Sequence, residues 1–173
     1  MNNKIKESYS SIVLACFSKS YDKILMWSHY AEDHKGFCLE FDTSYAPFSY
    51  TGRDFDSILR KVEYKKSFPK ISLKKWMDTG GVQTLFPLAE RKWIDWRYEE
   101  EYRVISDKGQ TNFPYEISAL SAVYLGWKMP DEDVTEIKKI IKEHLHPKHP
   151  LGIKIYKMQP SEEAYKVIRK EIT

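Results

Sequence analysis

Cysteine is scarce in this sequence, and several other features are missing altogether. Only Cys16 and Cys38 occur among 173 residues, and both lie in apolar runs without metal-ligand spacing. We therefore expect small buried thiols rather than a disulfide scaffold or a zinc site. No apolar run approaches the roughly 20 residues that a membrane-spanning helix needs, and the first residues lack the apolar core of a secretion signal. These absences predict a cytoplasmic protein without a membrane partner.

The chain also lacks the short motifs that bind phosphates or activate a nucleophile. It contains no Walker loop, no G-x-G-x-x-G and no G-x-S-x-G. Metal binding by the three histidines of "HLHPKHP" stays open, but this stretch is more typical of a polar helix end and loop, and we expect no metal. A net charge of +3 permits an acidic partner but does not argue for one.

What is present is enough to build a packed core. Hydrophobic residues make up 42% of the chain and aromatic residues 14%, which argues against disorder. At this length we expect one domain over residues 1–173, with residues 1–10 as a flexible N-terminus. Strand and helix patterns are interspersed, so the predicted class is α+β, with a mixed or antiparallel central sheet flanked by helices.

The clearest predicted element is a helix over residues 130–145. Pro130 suits its first position, and acidic side chains crowd its first turn while lysines follow later, as the helix dipole favours. A second helix is predicted over 21–34, and a short polar helix at the end of the chain. Strands are predicted by alternation or by β-branched apolar runs at 11–18, 36–42, 62–64, 98–106, 111–117, 120–126 and 152–158.

The stretch "KWIDWRYEEEYRVIS", residues 92–106, carries three consecutive glutamates. In a strand, Glu99, Glu101 and Arg103 share one face, with the two carboxylates roughly 6–7 Å apart. Arg103 can pair with Glu101 there. The pattern fits a solvated charged face with an ordinary ion pair. It also fits two carboxylates placed for acid–base chemistry or for binding ribose hydroxyls.

The stretch "LMWSHYAEDHKGFCLEFD", residues 25–42, is dense in aromatic and histidine side chains. On a helix, Trp27, Tyr30 and His34 can share a face, while His29 points elsewhere. One interpretation is an aromatic core stripe with a satisfied histidine. The other is an aromatic wall for a planar ligand, with a histidine as hydrogen-bond donor.

Residues 60–75 form a basic segment, with seven lysines and arginines against one acid, Glu63. Tyr64, Phe68 and Trp76 lie among or next to the basic residues. A solvated basic face explains this pattern. So does a path for nucleic acid along Arg60–Lys75, with phosphate contacts and base stacking.

Taken together, "CFS", the Met-Trp-Ser-His-Tyr-Ala…His-Lys-Gly segment, the Trp-x-Tyr-Glu-x-Glu-x-Arg stretch and "LSAVYLG" resemble a bacterial family, domain of unknown function 2971, over about residues 13–160. That family is distantly similar to ADP-ribosyltransferase-like domains, which use NAD as substrate and carry a catalytic Glu-x-Glu. The resemblance implies an oxocarbenium-like transition state stabilised by a carboxylate. It implies that Glu99-x-Glu101 is that Glu-x-Glu motif with Glu101 as the catalytic residue, that Ser18 matches a serine strand of those domains, and that Trp27 or Tyr30 stacks on the nicotinamide or the base. Together with the patterns above, the candidate catalytic residues are Glu101 and Glu99, and the candidate binding residues are Ser18, Trp27, His29, Tyr30, His34 and Arg103.

The sequence departs from the family pattern at its beginning. Members usually carry a Tyr-Arg pair and an Asn-Asp-Pro-Phe motif before the Cys-Phe-Ser strand, where this chain has about ten residues. The early arginine or histidine expected to bind NAD therefore has no counterpart there. The resemblance implies an enzyme of phage defence or a toxin system that transfers ADP-ribose to a nucleic acid or protein. The alternative is a non-catalytic binding or regulatory module of the same fold, with nucleic acid as one candidate ligand.

Overall fold

The structure, a computed structural model, describes residues 12–49, 58–72, 74, 77–78, 82–106 and 112–172. The N-terminus expected to be flexible lies outside these residues. The chain divides into two compact units: unit 1 comprises Met1–Lys19 and Tyr50–Pro114, and unit 2 comprises Ser20–Ser49 and Tyr115–Thr173. The single-domain organisation over residues 1–173 stays a prediction.

The regular elements follow one another in a mixed order. The strands are β1 (Val13–Ser18), β2 (Phe37–Phe41), β3 (Ile58–Lys61), β4 (Glu63–Lys65), β5 (Arg91–Trp93), β6 (Glu101–Ser106), β7 (Leu120–Leu125), β8 (Lys154–Pro160) and β9 (Val167–Glu171). The α-helices are α1 (Ile24–Tyr30), α2 (Phe86–Ala89) and α3 (Asp131–Ile140). Short 3₁₀ helices cover Val82–Leu85, Ile94–Glu99, Ile117–Ala119 and His146–Lys148, and a π-helical turn covers Ile141–Leu145.

Unit 1 contains an antiparallel sheet and a separate short strand pair. The sheet has the order β1-β6-β3, with β6 in the centre and hydrogen-bonded on both sides. Strands β4 and β5 pair in parallel, so that Tyr64 lies opposite Lys92 and Lys65 opposite Trp93. The 3₁₀ helix Ile94–Glu99 then leads from β5 into β6.

Unit 2 is built on a mixed sheet with the order β2-β7-β8-β9, in which β7 and β8 run parallel. Trp27 of α1 belongs to one core cluster, together with Tyr124, Tyr156 and Met158. Val134 and Ile137 of α3 pack against a second cluster, which includes Val123, Leu125 and Ile155. Because successive strand residues point to opposite faces, α1 and α3 bury the two faces of this sheet.

The α+β class is confirmed, as are its antiparallel and mixed strand pairings. The described strands are distributed over three sheets rather than one central sheet. The predicted helix over 130–145 exists as α3 and its π-helical continuation. The prediction of a polar C-terminal helix is wrong, because that segment forms β9, an edge strand whose side chains are mostly exposed. The strand predicted over 111–117 is also wrong, since residues 112–116 adopt no regular structure.

The two cysteines are free, and they are less buried than expected. Cys16 is exposed and Cys38 is half-buried, so the expectation of two buried thiols is wrong for Cys16. In the described part of the chain, every helix is too short or too polar to cross a bilayer.

Candidate functional site

The three consecutive glutamates do not lie in one strand. Glu99 ends the 3₁₀ helix Ile94–Glu99, and β6 begins only at Glu101. Between them Glu100 adopts a left-handed conformation, with φ of 47°. Residues other than glycine rarely adopt this conformation, because their Cβ meets the following carbonyl oxygen. The predicted strand over 98–106 was therefore too long at its start, and simple alternation does not relate Glu99 to Glu101.

The turn nevertheless brings Glu99 and Glu101 to one cation, Lys92 of β5. The Lys92 ammonium donates to the Glu99 carboxylate and lies 3.2 Å from Oε2 of Glu101. Its Nζ also lies 5.0 Å from the ring centroid of Trp96. Sequence reasoning missed Lys92, although it opens the same stretch, because its partners depend on the 3₁₀ helix between them.

Arg103 holds Glu101 from the other side in a bidentate ion pair. Its Nε donates to Oε1 at 2.6 Å and its Nη2 to Oε2 at 3.0 Å, while Nη1 donates to the carbonyl oxygen of Ala89. The predicted pairing of Arg103 with Glu101 is thus confirmed. The Glu101 and Arg103 side chains are only 8% and 12% exposed, so this is a buried ion cluster and not the solvated charged face that the pattern also allowed.

The neighbouring strands complete the surroundings of the cluster. Ser18 lies opposite Glu101 in the ladder of β1 and β6, and its hydroxyl donates to the carbonyl oxygen of Glu99 at 2.7 Å. The Glu101 amide donates to the Tyr64 hydroxyl at 2.8 Å. The Cys16 thiol is hydrogen-bonded to the Glu101 carboxylate. Four of these side chains therefore converge on Glu101: Cys16, Tyr64, Lys92 and Arg103.

The electrostatics of the cluster favour fixed charges over proton transfer. Burial raises the pKa of Glu101, but hydrogen bonds from Arg103 and Cys16 and the positive charges of Arg103 and Lys92 outweigh it and lower the pKa to about 2. Although the Cys16 residue as a whole is exposed, partial burial of its thiol, with the hydrogen bond to Glu101, raises its pKa to about 11. Burial lowers the pKa of Lys92, but its bonds to the two glutamates raise it above the ordinary value. None of these three groups titrates near neutral pH, where a general acid or base is most effective.

The other predicted binding residues lie in unit 2, and Trp27 belongs to its core. The Trp27 side chain is 3% exposed, and its indole nitrogen donates to the carbonyl oxygen of Tyr21 at 2.7 Å. Burial leaves the ring no free face on which a planar ligand could stack. The Trp27 ring therefore lies where the first interpretation, a core aromatic, puts it, and its role in ligand binding stays a prediction.

Tyr30, His29 and His34 do not extend an aromatic wall either. Helix α1 ends at Tyr30, so His34 is not one helical turn beyond it on the same face. Tyr30 and His29 are exposed, with ring centroids 6.3 Å apart in an edge-on arrangement. His34 is buried, its Nε2 lies 3.1 Å from the Ser28 hydroxyl, and its ring is tilted against Trp127. The prediction from helical spacing does not hold for His34, because Glu32, Asp33 and His34 form a left-handed turn, with φ of 47°, 51° and 71°.

The basic segment lies in unit 1 and is largely exposed. Arg60 is engaged, because it pairs with Glu90 at 2.7 Å and lies over the Phe86 ring. Lys75 and Trp76 fall outside the described residues. Unit 1 exposes a set of basic and aromatic side chains, carried by the segment around β4 and by β5 with the 3₁₀ helix after it, which we call the basic-aromatic surface. It consists of Lys65, Lys66, Phe68, Lys70, Trp93 and Trp96.

Three of these side chains are aromatic and unusually accessible. Phe68 is 93% exposed, Trp93 50% and Trp96 38%. Lys65 lies directly opposite Trp93 in the parallel pair of β4 and β5, so the two side chains leave the strands on the same face. Within the described ranges, no three histidine, cysteine or acidic side chains are grouped as a metal site.

Comparison with known proteins supports the family suggested by the motifs. Residues 26–104 match the family described as "Protein of unknown function (DUF2971)". The matched range contains every predicted site residue except Ser18, and it also contains Lys92. No curated protein and no solved structure matches the chain.

Proposed function

We propose that the chain is a non-catalytic binding module for single-stranded nucleic acid and that the basic-aromatic surface of unit 1 is its interface. The observation that carries the proposal is that Lys65, Lys66 and Lys70 are exposed, as are the rings of Phe68 and Trp93, with Lys65 directly opposite Trp93. Over residues 64–72 the sequence contains no acid. Among the described residues none forms an ion pair with these three lysines, so their charges are available to phosphates.

The chemistry of the surface suits a single strand better than a duplex. Lysines bind the phosphate backbone electrostatically, and flat exposed rings stack on unpaired bases of any sequence. The pairing of Lys65 with Trp93 puts one group of each kind on the same face. In a duplex the bases are already stacked on one another, so exposed tryptophan and phenylalanine rings would gain little.

The glutamate cluster supports a binding module over an enzyme. Both oxygens of Glu101 already accept hydrogen bonds, from Arg103 and from Lys92. A carboxylate so engaged must give up these partners before it can stabilise charge on a substrate. The cluster instead joins β5, the following 3₁₀ helix and β6, the framework from which Trp93 and Trp96 project.

The proposal is tested by the fluorescence anisotropy of a labelled single-stranded oligonucleotide titrated with the full chain. Trp93→Ala should weaken binding about tenfold, since one base stack contributes about 1–3 kcal/mol. Lys65→Gln should weaken it as well, and Lys154→Gln, which removes an exposed lysine of unit 2, serves as the matched control. Equal affinities for the wild type, Trp93→Ala and Lys65→Gln would contradict the proposed interface.

The pairing of Ser18 with Glu101 supports a second candidate, the NAD-using ADP-ribosyltransferase-like activity. Ser18 and the Glu-x-Glu pair are residues that the family resemblance assigns to one site, and Ser18 hydrogen-bonds the backbone of Glu99. This candidate requires Glu101 to exchange Arg103 for ribose hydroxyls. It predicts that millimolar NAD raises the melting temperature and that nicotinamide is released. Glu101→Gln should abolish the release, while Glu100→Gln, its neighbour outside the cluster, should retain it. No effect of NAD in either assay would exclude this candidate.

A further inference from the structure

Unit 2 contains a column of three tyrosines that neither proposed function uses. Tyr21 and Tyr124 are stacked with ring centroids 4.8 Å apart, and Tyr124 and Tyr156 are stacked at 5.1 Å. Tyr124 and Tyr156 are direct partners on the parallel strands β7 and β8. Tyr21 comes from the segment that precedes α1.

The column is fixed in place by its surroundings. The Trp27 indole donates to the backbone oxygen of Tyr21, and the Val167 amide of β9 donates to the backbone oxygen of Asp22 at 3.0 Å. The segment that carries Tyr21 is therefore tied to α1 on one side and to β9 on the other. The buried Trp27 side chain thus positions Tyr21.

A single guanidinium, that of Arg169 in β9, lies over all three rings. Its Cζ is 5.0 Å from the ring centroid of Tyr21, 5.9 Å from that of Tyr124 and 4.7 Å from that of Tyr156. Its Nη1 donates to the Tyr124 hydroxyl at 2.7 Å. The Tyr124 hydroxyl in turn donates to the Glu40 carboxylate, which also accepts from Ser121 at 2.8 Å. Arg169 is thus oriented by a hydrogen bond and by cation–π contacts at once.

As far as the described residues are concerned, most N–H donors of Arg169 are unused and its charge is not paired with a carboxylate. A guanidinium has five N–H donors, and the described contacts use the one that faces Tyr124. Among the described residues no carboxylate pairs with Arg169, because Glu40 is separated from it by the Tyr124 hydroxyl. The residue is exposed even though its position is fixed. An arginine held in this way has already lost much of the rotamer freedom that binding usually costs.

We propose that Arg169 is a receptor for the oxyanion of a small anionic ligand, a phosphate or a carboxylate group, presented on the tyrosine column of unit 2. The fixed fork donates two parallel hydrogen bonds to such a group. The tyrosine rings contact the guanidinium and restrict its orientation. The site uses residues of unit 2 alone, so its test is independent of the test of the nucleic-acid interface of unit 1.

The test is an NMR titration of the full chain that follows the Arg169 side-chain N–H resonance at constant ionic strength. Inorganic phosphate, pyrophosphate and acetate are added separately, to distinguish a phosphate receptor from a carboxylate receptor. At least one of them should give a saturable shift in the millimolar range. Arg169→Lys, which keeps the charge but loses the fork, should weaken the binding followed through the Tyr21 and Tyr156 ring resonances about fivefold or more.

The matched control is Lys170→Gln, which removes a neighbouring positive charge on the same strand, and thermal melting verifies that each variant is folded. Retained binding in Lys170→Gln with loss in Arg169→Lys supports the receptor. The inference is overturned if none of the three anions gives a saturable shift. It is also overturned if both variants bind as the wild type does, or if Lys170→Gln weakens binding as much as Arg169→Lys.

Discussion

The ionised form of a buried carboxylate is stabilised by the cation next to it. Glu101 is 6% exposed and bound in a bidentate manner by Arg103. Arg103→Met leaves the buried carboxylate with Lys92 as its remaining cation. Because removing one partner of a buried ion pair is strongly destabilising, we expect the free energy of unfolding to fall by about 3 kcal/mol, as measured by urea denaturation.

A matched arginine in the same unit provides the control. Arg97 is exposed and lies in the 3₁₀ helix before β6. Arg97→Met should change the free energy of unfolding by no more than about 0.5 kcal/mol, as is usual for exposed positions. Similar losses in the two variants would show that Arg103 contributes no more than an ordinary surface charge.

The same cluster makes the free energy of unfolding depend on pH in the acid range. The pKa of Glu101 is about 2 in the folded chain against 4.5 for the free carboxyl group, so the unfolded state binds the proton more readily. The ionised Glu101 side chain contributes at most about 3 kcal/mol to the free energy of unfolding. This contribution is complete above about pH 4.5 and is lost as the pH falls toward about 2. Unfolding free energies measured across this range should show a shallower pH dependence in Glu101→Gln. If the pH dependence of Glu101→Gln equals that of the wild type, a group other than Glu101 determines the loss of stability in acid.

At the scale of residues, the sequence predicts contacts that depend on local spacing. The pair of Glu101 and Arg103 follows from strand alternation, because both lie within β6. The convergence of Glu99 and Lys92 does not follow, since it requires the left-handed conformation of Glu100. Periodicity carries no signal for a single residue with positive φ. The burial of Trp27 was one of two alternatives, and only the tertiary packing decides between them.

At the scale of elements, predictions succeeded where a periodic pattern agrees with burial. Strand β7 and helix α3 present apolar residues at the expected spacing, and both pack in the core of unit 2. Helix α1 was predicted too long, because the left-handed turn after Ala31 breaks the helical spacing before His34. Strand β9 was missed, since an edge strand with exposed side chains has a polar pattern similar to that of a surface helix.

The turn after α1 depends on a glycine in the loop that follows β7. A Cβ on Gly126 would lie 2.0 Å from the carbonyl oxygen of His34, which also accepts from the Lys128 amide at 3.1 Å. Because this neighbour is backbone and cannot rotate away, Gly126→Ala should lower the free energy of unfolding by about 1–3 kcal/mol or more in urea denaturation.

Gly152→Ala separates steric clash from backbone strain. Gly152 has φ of +74° and nothing within 4 Å of the added Cβ, so its cost is that of the left-handed conformation alone. We expect about 1 kcal/mol for this substitution. If Gly126→Ala costs no more than Gly152→Ala, the close approach of the β7 loop to His34 is not what holds the turn.

At the scale of the whole molecule, the fold class was predictable because it depends on the order of patterns along the chain. The division into two units was not, since unit 1 and unit 2 each combine segments that are distant in sequence. Net charge was also a weak guide. The total is only +3, whereas residues 64–72 carry Lys65, Lys66 and Lys70 without any acid.

This local concentration of charge sets the expected response to salt. Each phosphate neutralised on a single strand releases counterions and contributes about −0.7 to the slope of log K against log salt concentration. If Lys65, Lys66 and Lys70 each contact a phosphate, the wild type should show a slope of about −2. A variant with all three lysines replaced by glutamine should show a slope near zero.

The most direct test of the account is therefore the affinity of the full chain for a single-stranded oligonucleotide, measured across a series of salt concentrations. The account predicts a slope of about −2 for the wild type and for Lys154→Gln, and a slope near zero with weak binding for the triple lysine variant. A flat wild-type response, or an equal slope in the triple variant, would contradict the assignment of the basic-aromatic surface as the interface.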